Sequence, residues 1–164
     1  MGVRYVCIDL GDKRTGIAVG DAETGLVSPA DVIECPIARR GGDELLERLT
    51  SEATRHGAKE LVVGLPINMD GSEGQRARLV RGFAARIGGA TGLAVRFQDE
   101  RLTSAEADWT MARSGMTHGQ KKARRDALAA AAILRDYLSQ LGHPPTPGDT
   151  GVQRDANGVV DGQG

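Results

Sequence analysis

The sequence has few aromatic side chains and no marked excess of positive or negative charge. Phe, Trp and Tyr make up 3% of the 164 residues, and 21 Lys and Arg stand against 22 Asp and Glu, for a formal net charge of −1. A module that stacks bases on exposed rings needs aromatics, and a binder that holds nucleic acid by bulk charge needs a basic excess. Both classes are excluded, so any contact with nucleic acid must be local, through a basic patch or a metal site.

Cysteine and long apolar runs are equally sparse. Cys7 and Cys35 form no CxxC pair and stand in no cluster with His56, His118 or His143. A zinc site is therefore not indicated, and both thiols are predicted to be small buried hydrophobic residues. No apolar run has the length of a signal peptide or a membrane span, which predicts a cytoplasmic protein with no membrane partner.

The chain divides into a body and a tail. Residues 1–142 are long enough for one domain with its own hydrophobic core, and they contain no internal repeat. Residues 143–164 are rich in Pro, Gly and Asp and offer little to bury, which predicts a disordered C-terminal tail.

The body begins with short strand patterns and continues with alternating helices and strands. Three strands in an antiparallel meander and two further strands are predicted at 3–9, 15–20, 30–35, 61–65 and 93–97. Amphipathic helices are predicted at 43–56, 72–87, 103–113 and 117–141, the last three opened by capping boxes at Ser72–Gln75, Thr103–Glu106 and Thr117–Gln120. The last helix has an apolar stripe of Ala127, Ala131, Leu134, Leu138 and Leu141. The fold class is therefore α/β, with one mixed sheet flanked by helices.

Three carboxylates stand at informative positions. Asp9 ends the first strand and Glu100 follows the fifth, at the carboxyl ends where α/β sheets collect ligands. Asp126 lies at the edge of the buried stripe of the last helix, where a carboxylate needs a partner. If the three converge, they form an oxygen site suited to Mg²⁺ or Mn²⁺. Two such ions about 4 Å apart can activate a water and stabilise the leaving oxygen of a phosphodiester.

Structural roles for the same acids stay open. Asp9 could cap a turn, and Glu100 could pair with Arg101. Asp126 could form a weak surface ion pair with Lys122, one helical turn earlier.

Basic residues stand close in sequence to each acid. Lys13 and Arg14 follow the first strand, Arg101 follows the fifth strand, and Lys122 precedes Asp126. They could form a phosphate-binding rim, or a solvated surface. Asn68 and Ser72 lie in a loop before a helix start, where free amide groups favour an anion, and they could line the cleft or serve as ordinary turn and cap residues.

Four segments of the body resemble, in order, the motifs of the YqgF family. They are DLGDKRTGIAVGD, VVGLPINMDGSEG, DERLTSAEA and KKARRDALAAAAIL, and the resemblance covers roughly residues 3–141. It implies a ribonuclease H-like fold with a five-stranded mixed sheet. It also implies a metal-dependent nuclease site, with Asp9, Glu100 and Asp126 as the matching acids. Thr15 and Gly20 stand where a bulkier aliphatic residue and Ser are more usual, and neither is an implied ligand.

The family is described as Holliday-junction resolvases and pre-16S rRNA nucleases, which sets the hypotheses. The first is a nuclease that uses Mg²⁺ or Mn²⁺ on structured RNA, maturing the 16S rRNA 5′ end on ribosomal precursor particles, with Lys13, Arg14 and Arg101 holding the phosphate. The second is a resolvase of branched DNA, which normally acts as a homodimer rather than a monomer. The third is a non-catalytic ribosome-assembly or transcription factor on the same fold. A half of a kinase-like or actin-like ATPase is disfavoured, because such proteins need a second similar domain.

Overall fold

The computed structural model describes residues 3–100 and 118–142, with the side chains of residues 125–141 in the second range. The strands are β1 (Arg4–Asp9), β2 (Thr15–Asp21), β3 (Val27–Ile33), β4 (Glu60–Leu65) and β5 (Ala94–Asp99). The helices are α1 (Asp43–Arg55), α2 (Gln75–Thr91) and α3 (His118–Gly142). The helix predicted at 103–113, the cap at Thr117 and the tail at 143–164 lie outside the described residues. No helix within the described ranges is long and apolar enough to cross a membrane.

The five strands form one mixed sheet in the order β3-β2-β1-β4-β5. The pairs β1/β2 and β2/β3 are antiparallel, whereas β1/β4 and β4/β5 are parallel, which confirms the predicted sheet. The carboxyl ends of β1, β4 and β5 therefore meet at one edge of the sheet. Because Gly16 pairs with Asp9 and Ile33 pairs with Thr15, the start of β2 and the end of β3 lie at this carboxyl edge as well.

Helices cover both faces of the sheet, because side chains alternate along each strand. Val6 and Ile8 of β1 pack with α1 and α2, while Cys7, between them, packs with α3. The central strand β4 is buried on both faces, as its continuous apolar run predicts. Cys7 and Cys35 are both buried and free, as predicted from their spacing.

The apolar stripe of α3 packs on small residues of β2. Ala127, Ala131, Leu134 and Leu138 are buried as predicted. Gly20 leaves the room that the two leucines fill, since a Cβ there would lie 2.9 Å from Leu134 Cδ2 and 3.2 Å from Leu138 Cδ1. The prediction for Leu141 was wrong, because its side chain lies beyond this contact and is 52% exposed.

Two predicted boundaries were wrong. Strand β3 covers Val27–Ile33 rather than 30–35, because Val27 and Ser28 still pair with β2. Helix α2 begins at Gln75 with Gly74 as its N-cap, so Ser72 and Gln75 form no capping box. The Ser72 hydroxyl donates instead to Asp70 Oδ1 at 2.6 Å, within the loop.

A buried hydroxyl without a partner lies on the α1/α2 side of the sheet. Thr15 is 0% exposed, and its Oγ1 makes no hydrogen bond to any described residue. Leaving such a group unsatisfied costs about 1–3 kcal/mol. Thr15→Val, which keeps the shape of the side chain, is therefore expected to raise the free energy of unfolding by about 1 kcal/mol, measured by thermal or urea unfolding.

The matched control is Thr50→Val in α1. The Thr50 hydroxyl donates to Leu46 O at 2.8 Å, so its removal is expected to bring no gain. A loss of stability in Thr15→Val would show that the Thr15 hydroxyl is bonded after all.

Candidate active site

Two of the three predicted acids meet at the carboxyl edge. Asp9 is the last residue of β1, and Glu100 follows β5, where its backbone N–H donates to Leu65 O at 3.3 Å. The two carboxyl groups share a hydrogen bond. Strands β1 and β5 are separated by β4, so this contact depends on side chains that reach across the end of β4.

The third acid, Asp126, approaches the same place from α3. Its Oδ2 accepts a hydrogen bond from Arg14 Nε at 3.1 Å, and its side chain is 28% exposed. Asp126 is close enough to Asp9 for its charge to raise the pKa of Asp9. The partner that a half-buried carboxylate needs is therefore Arg14, from the β1–β2 turn.

Burial and like charges disfavour ionisation of the first two acids. Burial, the charge of Glu100, the hydrogen bond with Glu100 and the charge of Asp126 together raise the pKa of Asp9 well above its usual value. Burial also raises the pKa of Glu100, although the hydrogen bond from Asp9 and the charge of Arg76 oppose the rise. Ionisation of both groups is therefore disfavoured in the folded protein.

The donor chemistry of the site fits a divalent cation. Within the described ranges no three His, Cys, Asp or Glu side chains are close enough to enclose an ion. The three acids nevertheless supply only oxygen, which Mg²⁺ and Mn²⁺ prefer, and Asp9 and Glu100 are already in contact. A bound cation would offset the burial and the like charges that raise the pKa of Asp9.

Two glycines give the acids room to approach. A Cβ on Gly64 of β4 would lie 2.7 Å from Glu100 Oε1 and 2.7 Å from Ile133 Cδ1. A Cβ on Gly16 of β2 would overlap the backbone carbonyl of Asp126. The missing side chains let Glu100 lie across β4 and let α3 rest directly on β2.

Comparison with known proteins settles the family. A family model described as "RuvX: Holliday junction resolvase" matches residues 3–140. The chain belongs to the RuvX family. RuvX and YqgF are one family, so the resemblance seen in the sequence is confirmed.

Curated relatives of this RuvX chain align over most of their length. A protein of Anaeromyxobacter dehalogenans is 39% identical over 138 residues, which is 84% of this chain and 98% of that protein. A protein of Pelotomaculum thermopropionicum is 36% identical over 143 residues, covering 87% of this chain and 90% of the relative. Both carry the name "Putative pre-16S rRNA nuclease".

A solved structure shares the fold of this RuvX chain. RuvC of T. thermophilus, in complex with a Holliday junction substrate, superposes with a TM-score of 0.54 and covers 85% of this chain and 97% of its own. At 14% sequence identity this similarity concerns the fold alone. It confirms the ribonuclease H-like fold that the motifs imply.

The basic residues predicted for this RuvX site fall into different environments. Arg14 is committed to Asp126, whereas Lys13 is exposed at the tip of the β1–β2 turn. Arg101 and the side chain of Lys122 lie outside the part of the chain that the structure describes. The surface ion pair considered between Lys122 and Asp126 is therefore not tested.

Asn68 and Ser72 build a closed loop after β4, at the same edge. The Asn68 amide donates to Ser72 Oγ at 3.0 Å, and the Asn68 backbone N–H donates to Ser72 O at 2.9 Å. Both side chains are exposed, and Asp70 Oδ1 accepts hydrogen bonds from the Ser72 backbone N–H at 2.9 Å and from the Ser72 hydroxyl at 2.6 Å.

Sequence reasoning missed Arg76, in the first turn of α2. Its guanidinium donates to Leu10 O at 2.8 Å and pairs with Asp12, and its charge opposes the rise in the pKa values of Asp9 and Glu100. A cation is disfavoured at a helix N-terminus, whose partial charge is positive. An arginine there, with no acid in the first turn, was the signal that could have identified it.

Proposed function

We propose that this RuvX chain is a cytoplasmic, divalent-metal-dependent nuclease that hydrolyses phosphodiester bonds in structured RNA during maturation of the 16S rRNA 5′ end. The observation that carries the proposal is the contact of Asp9 with Glu100 at the carboxyl edge, with Asp126 near enough for its charge to raise the pKa of Asp9. The names of the curated relatives support the RNA substrate, with ribosomal precursor particles as its setting.

The proposed chemistry divides between the metal and the chain. When bound, Mg²⁺ or Mn²⁺ would supply the positive charge that activates a water and stabilises the leaving oxygen. Asp9, Glu100 and Asp126 would hold it. Arg14 fixes the direction of the Asp126 carboxylate, and Arg76 fixes the peptide that follows Asp9 through its bond to Leu10 O.

Phosphate contacts would come from the rim of the site. Lys13 is exposed in the β1–β2 turn that follows Asp9, and the loop of Asn68 and Ser72, which follows β4, carries exposed amide and hydroxyl groups. Arg101 and Lys122 complete the proposed set, because they lie close to Glu100 and Asp126 in the sequence. Because phosphate contacts carry no base information, this rim suits RNA and DNA alike.

Resolution of branched DNA is the second candidate, favoured by the description of the matching family model. Purified protein incubated in parallel with precursor 16S rRNA and a four-way DNA junction, each with Mg²⁺, Mn²⁺ or EDTA, separates the two. The proposal expects metal-dependent cleavage of the RNA at its 5′ side. Paired cuts in the junction by a dimer would favour the resolvase. Failure to cut either, with no Mn²⁺ binding in calorimetry, would favour a non-catalytic factor.

Arg76→Gln tests whether the positive charge of Arg76 supports the site. Without its charge, the pKa values of Asp9 and Glu100 rise further, so a smaller fraction of the site is ionised at neutral pH. We expect cleavage at pH 7 to fall and the activity profile to move to higher pH, because a higher pKa leaves less of the site ionised at neutral pH. The measurement is the rate against pH on whichever substrate the wild type cuts.

Arg78→Gln removes the same charge two residues along α2, from an exposed position. It is expected to keep the wild-type profile, and Arg76→Lys is expected to recover part of the loss. Equal profiles for Arg76→Gln and Arg78→Gln would contradict a role for Arg76 in the site.

A further inference from the structure

One segment beside the carboxyl edge carries backbone strain. Among residues 3–100 and 118–142, Arg40 is the one non-glycine residue with a positive φ, at 53° with ψ at 37°. The left-handed region crowds any residue that has a Cβ, and glycine adopts it without that cost. Glycines follow directly at Gly41 and Gly42, both also at positive φ. The chain therefore places an arginine where the backbone would favour a third glycine.

The surrounding structure holds this conformation in place. Arg86 of α2 donates to Gly41 O at 2.8 Å and to Asp43 Oδ1 at 2.6 Å. On the other side, the Ile37 backbone N–H donates to Asp12 O at 3.0 Å, which joins the segment to the β1–β2 turn. A backbone held from both sides fixes the direction of the Cα–Cβ bond of Arg40, and residues strained in this way concentrate at functional sites.

The strained arginine extends the basic rim of the site. Arg40 is the third residue after Ile37, so the two Cα atoms lie no more than about 11 Å apart, and Ile37 is hydrogen-bonded to the β1–β2 turn that carries Lys13. Within the described part of the chain, neither Arg40 nor Lys13 has a carboxylate at ion-pair distance, and both are exposed. Arg39 is half-exposed and holds Glu44 only at 3.6 Å.

We propose that Arg40, together with Arg39 and Lys13, forms a phosphate-binding patch that holds the backbone of the nucleic-acid substrate beyond the point of cleavage. An arginine presented on a fixed backbone loses less freedom when it binds a phosphate than one on a mobile loop. That gain explains why arginine stands where glycine would fold more easily. The inference rests on the proposed nuclease function, and it adds a binding surface outside the three acids.

The experiment is Arg40→Gly, with binding measured separately from cleavage. Fluorescence anisotropy of a labelled RNA stem and of a labelled four-way junction is recorded over a series of KCl concentrations, with Ca²⁺ in place of Mg²⁺. We expect the affinity to fall about 3–10-fold and the slope of log K against log salt to decrease by about 1. The melting temperature is expected to rise, because glycine relieves the strained backbone. A merely structural arginine would not combine higher stability with weaker, less salt-dependent binding.

Two further variants complete the test. Arg55→Ala removes an equal charge at the end of α1, away from the carboxyl edge, and is expected to leave affinity and slope unchanged. Arg40→Lys keeps the charge and is expected to keep the slope. If Arg40→Gly binds like Arg55→Ala while the wild type binds and cuts, the patch is wrong and the proposed function stands. If the wild type binds neither probe, both fail together.

Discussion

Asp9→Asn is expected to abolish cleavage and at the same time to stabilise the fold. The variant keeps the shape of the side chain but loses the charge with which Asp9 would help to hold a divalent metal. Metal stabilisation of a phosphodiester transition state is worth several kcal/mol, so the rate should fall by about 10³-fold or more. The assay is cleavage of the substrate that the wild type cuts, with Mg²⁺ at saturation.

The gain in stability follows from the raised pKa of Asp9. Burial, Glu100 and Asp126 disfavour its ionised form in the folded protein, so the folded state holds the proton more tightly than the unfolded chain. Wild-type stability is then lost as pH rises from the ordinary value of 3.8 through the raised pKa. Asparagine has no proton to lose, so the melting temperature of Asp9→Asn in EDTA should exceed that of the wild type by a margin that grows over this pH range.

Asp31→Asn is the matched control, since it makes the same change on an exposed residue of β3. Its activity and melting temperature should equal those of the wild type. If Asp9→Asn still cuts the substrate at the wild-type rate, the acids do not form the active site. If it cuts slowly but melts below the wild type, the acids form the active site, but the ionised Asp9 carboxylate does not destabilise the fold as proposed.

The fold was predictable to the extent that it depends on local patterns. The apolar alternation of β1, the continuous run of β4 and the helical spacing of α1 each determine their element within a few residues. The errors arose where hydrogen-bond partners outside the predicted element decide the outcome. Strand β3 begins early because β2 is there to pair with Val27, and Ser72 does not cap α2 because Asp70 takes its hydroxyl.

The candidate site was predictable in its acids and not in its supports. Asp9 and Glu100 stand at strand ends, and general rules of α/β sheets direct attention to such positions. The pair of Arg14 and Asp126 spans 112 residues of sequence, and no spacing rule reaches that far. Gly16 looks like an ordinary strand residue until the helix that lies on it is known.

The residues that position the acids act in the same way, by setting the distance between the helix and the sheet. The acids come from a strand end, a position just past another strand and a helix, so their distances depend on how closely the helix and the strands pack. Small residues reduce that spacing: Gly64 admits Glu100 over β4, and Gly16 admits the backbone of Asp126 over β2. The precision of the site is therefore a property of the α3–sheet interface as much as of the acids.

Gly16→Ala is accordingly expected to damage both stability and activity. The added Cβ would overlap the carbonyl of Asp126 and lie 3.0 Å from Ala127 N, which are backbone atoms that cannot rotate away. Helix α3 must shift, at a cost of about 3 kcal/mol in the free energy of unfolding, or about 10 °C in melting temperature. The shift also moves Asp126 from Asp9, so cleavage measured well below the melting temperature should fall at least about 10-fold.

The same substitution at Gly82 gives the opposite expectation. Gly82 lies inside α2 with no atom within 4 Å of the place a Cβ would take, so Gly82→Ala should stabilise the protein by about 0.5–1 kcal/mol through helix propensity. Activity should stay at the wild-type level. The contrast separates the general effect of alanine for glycine from the close contact of α3 with β2. A Gly16→Ala protein as stable and active as Gly82→Ala would mean that the carbonyl of Asp126 does not rest on β2, and Asp126 would then lose its place among the three acids.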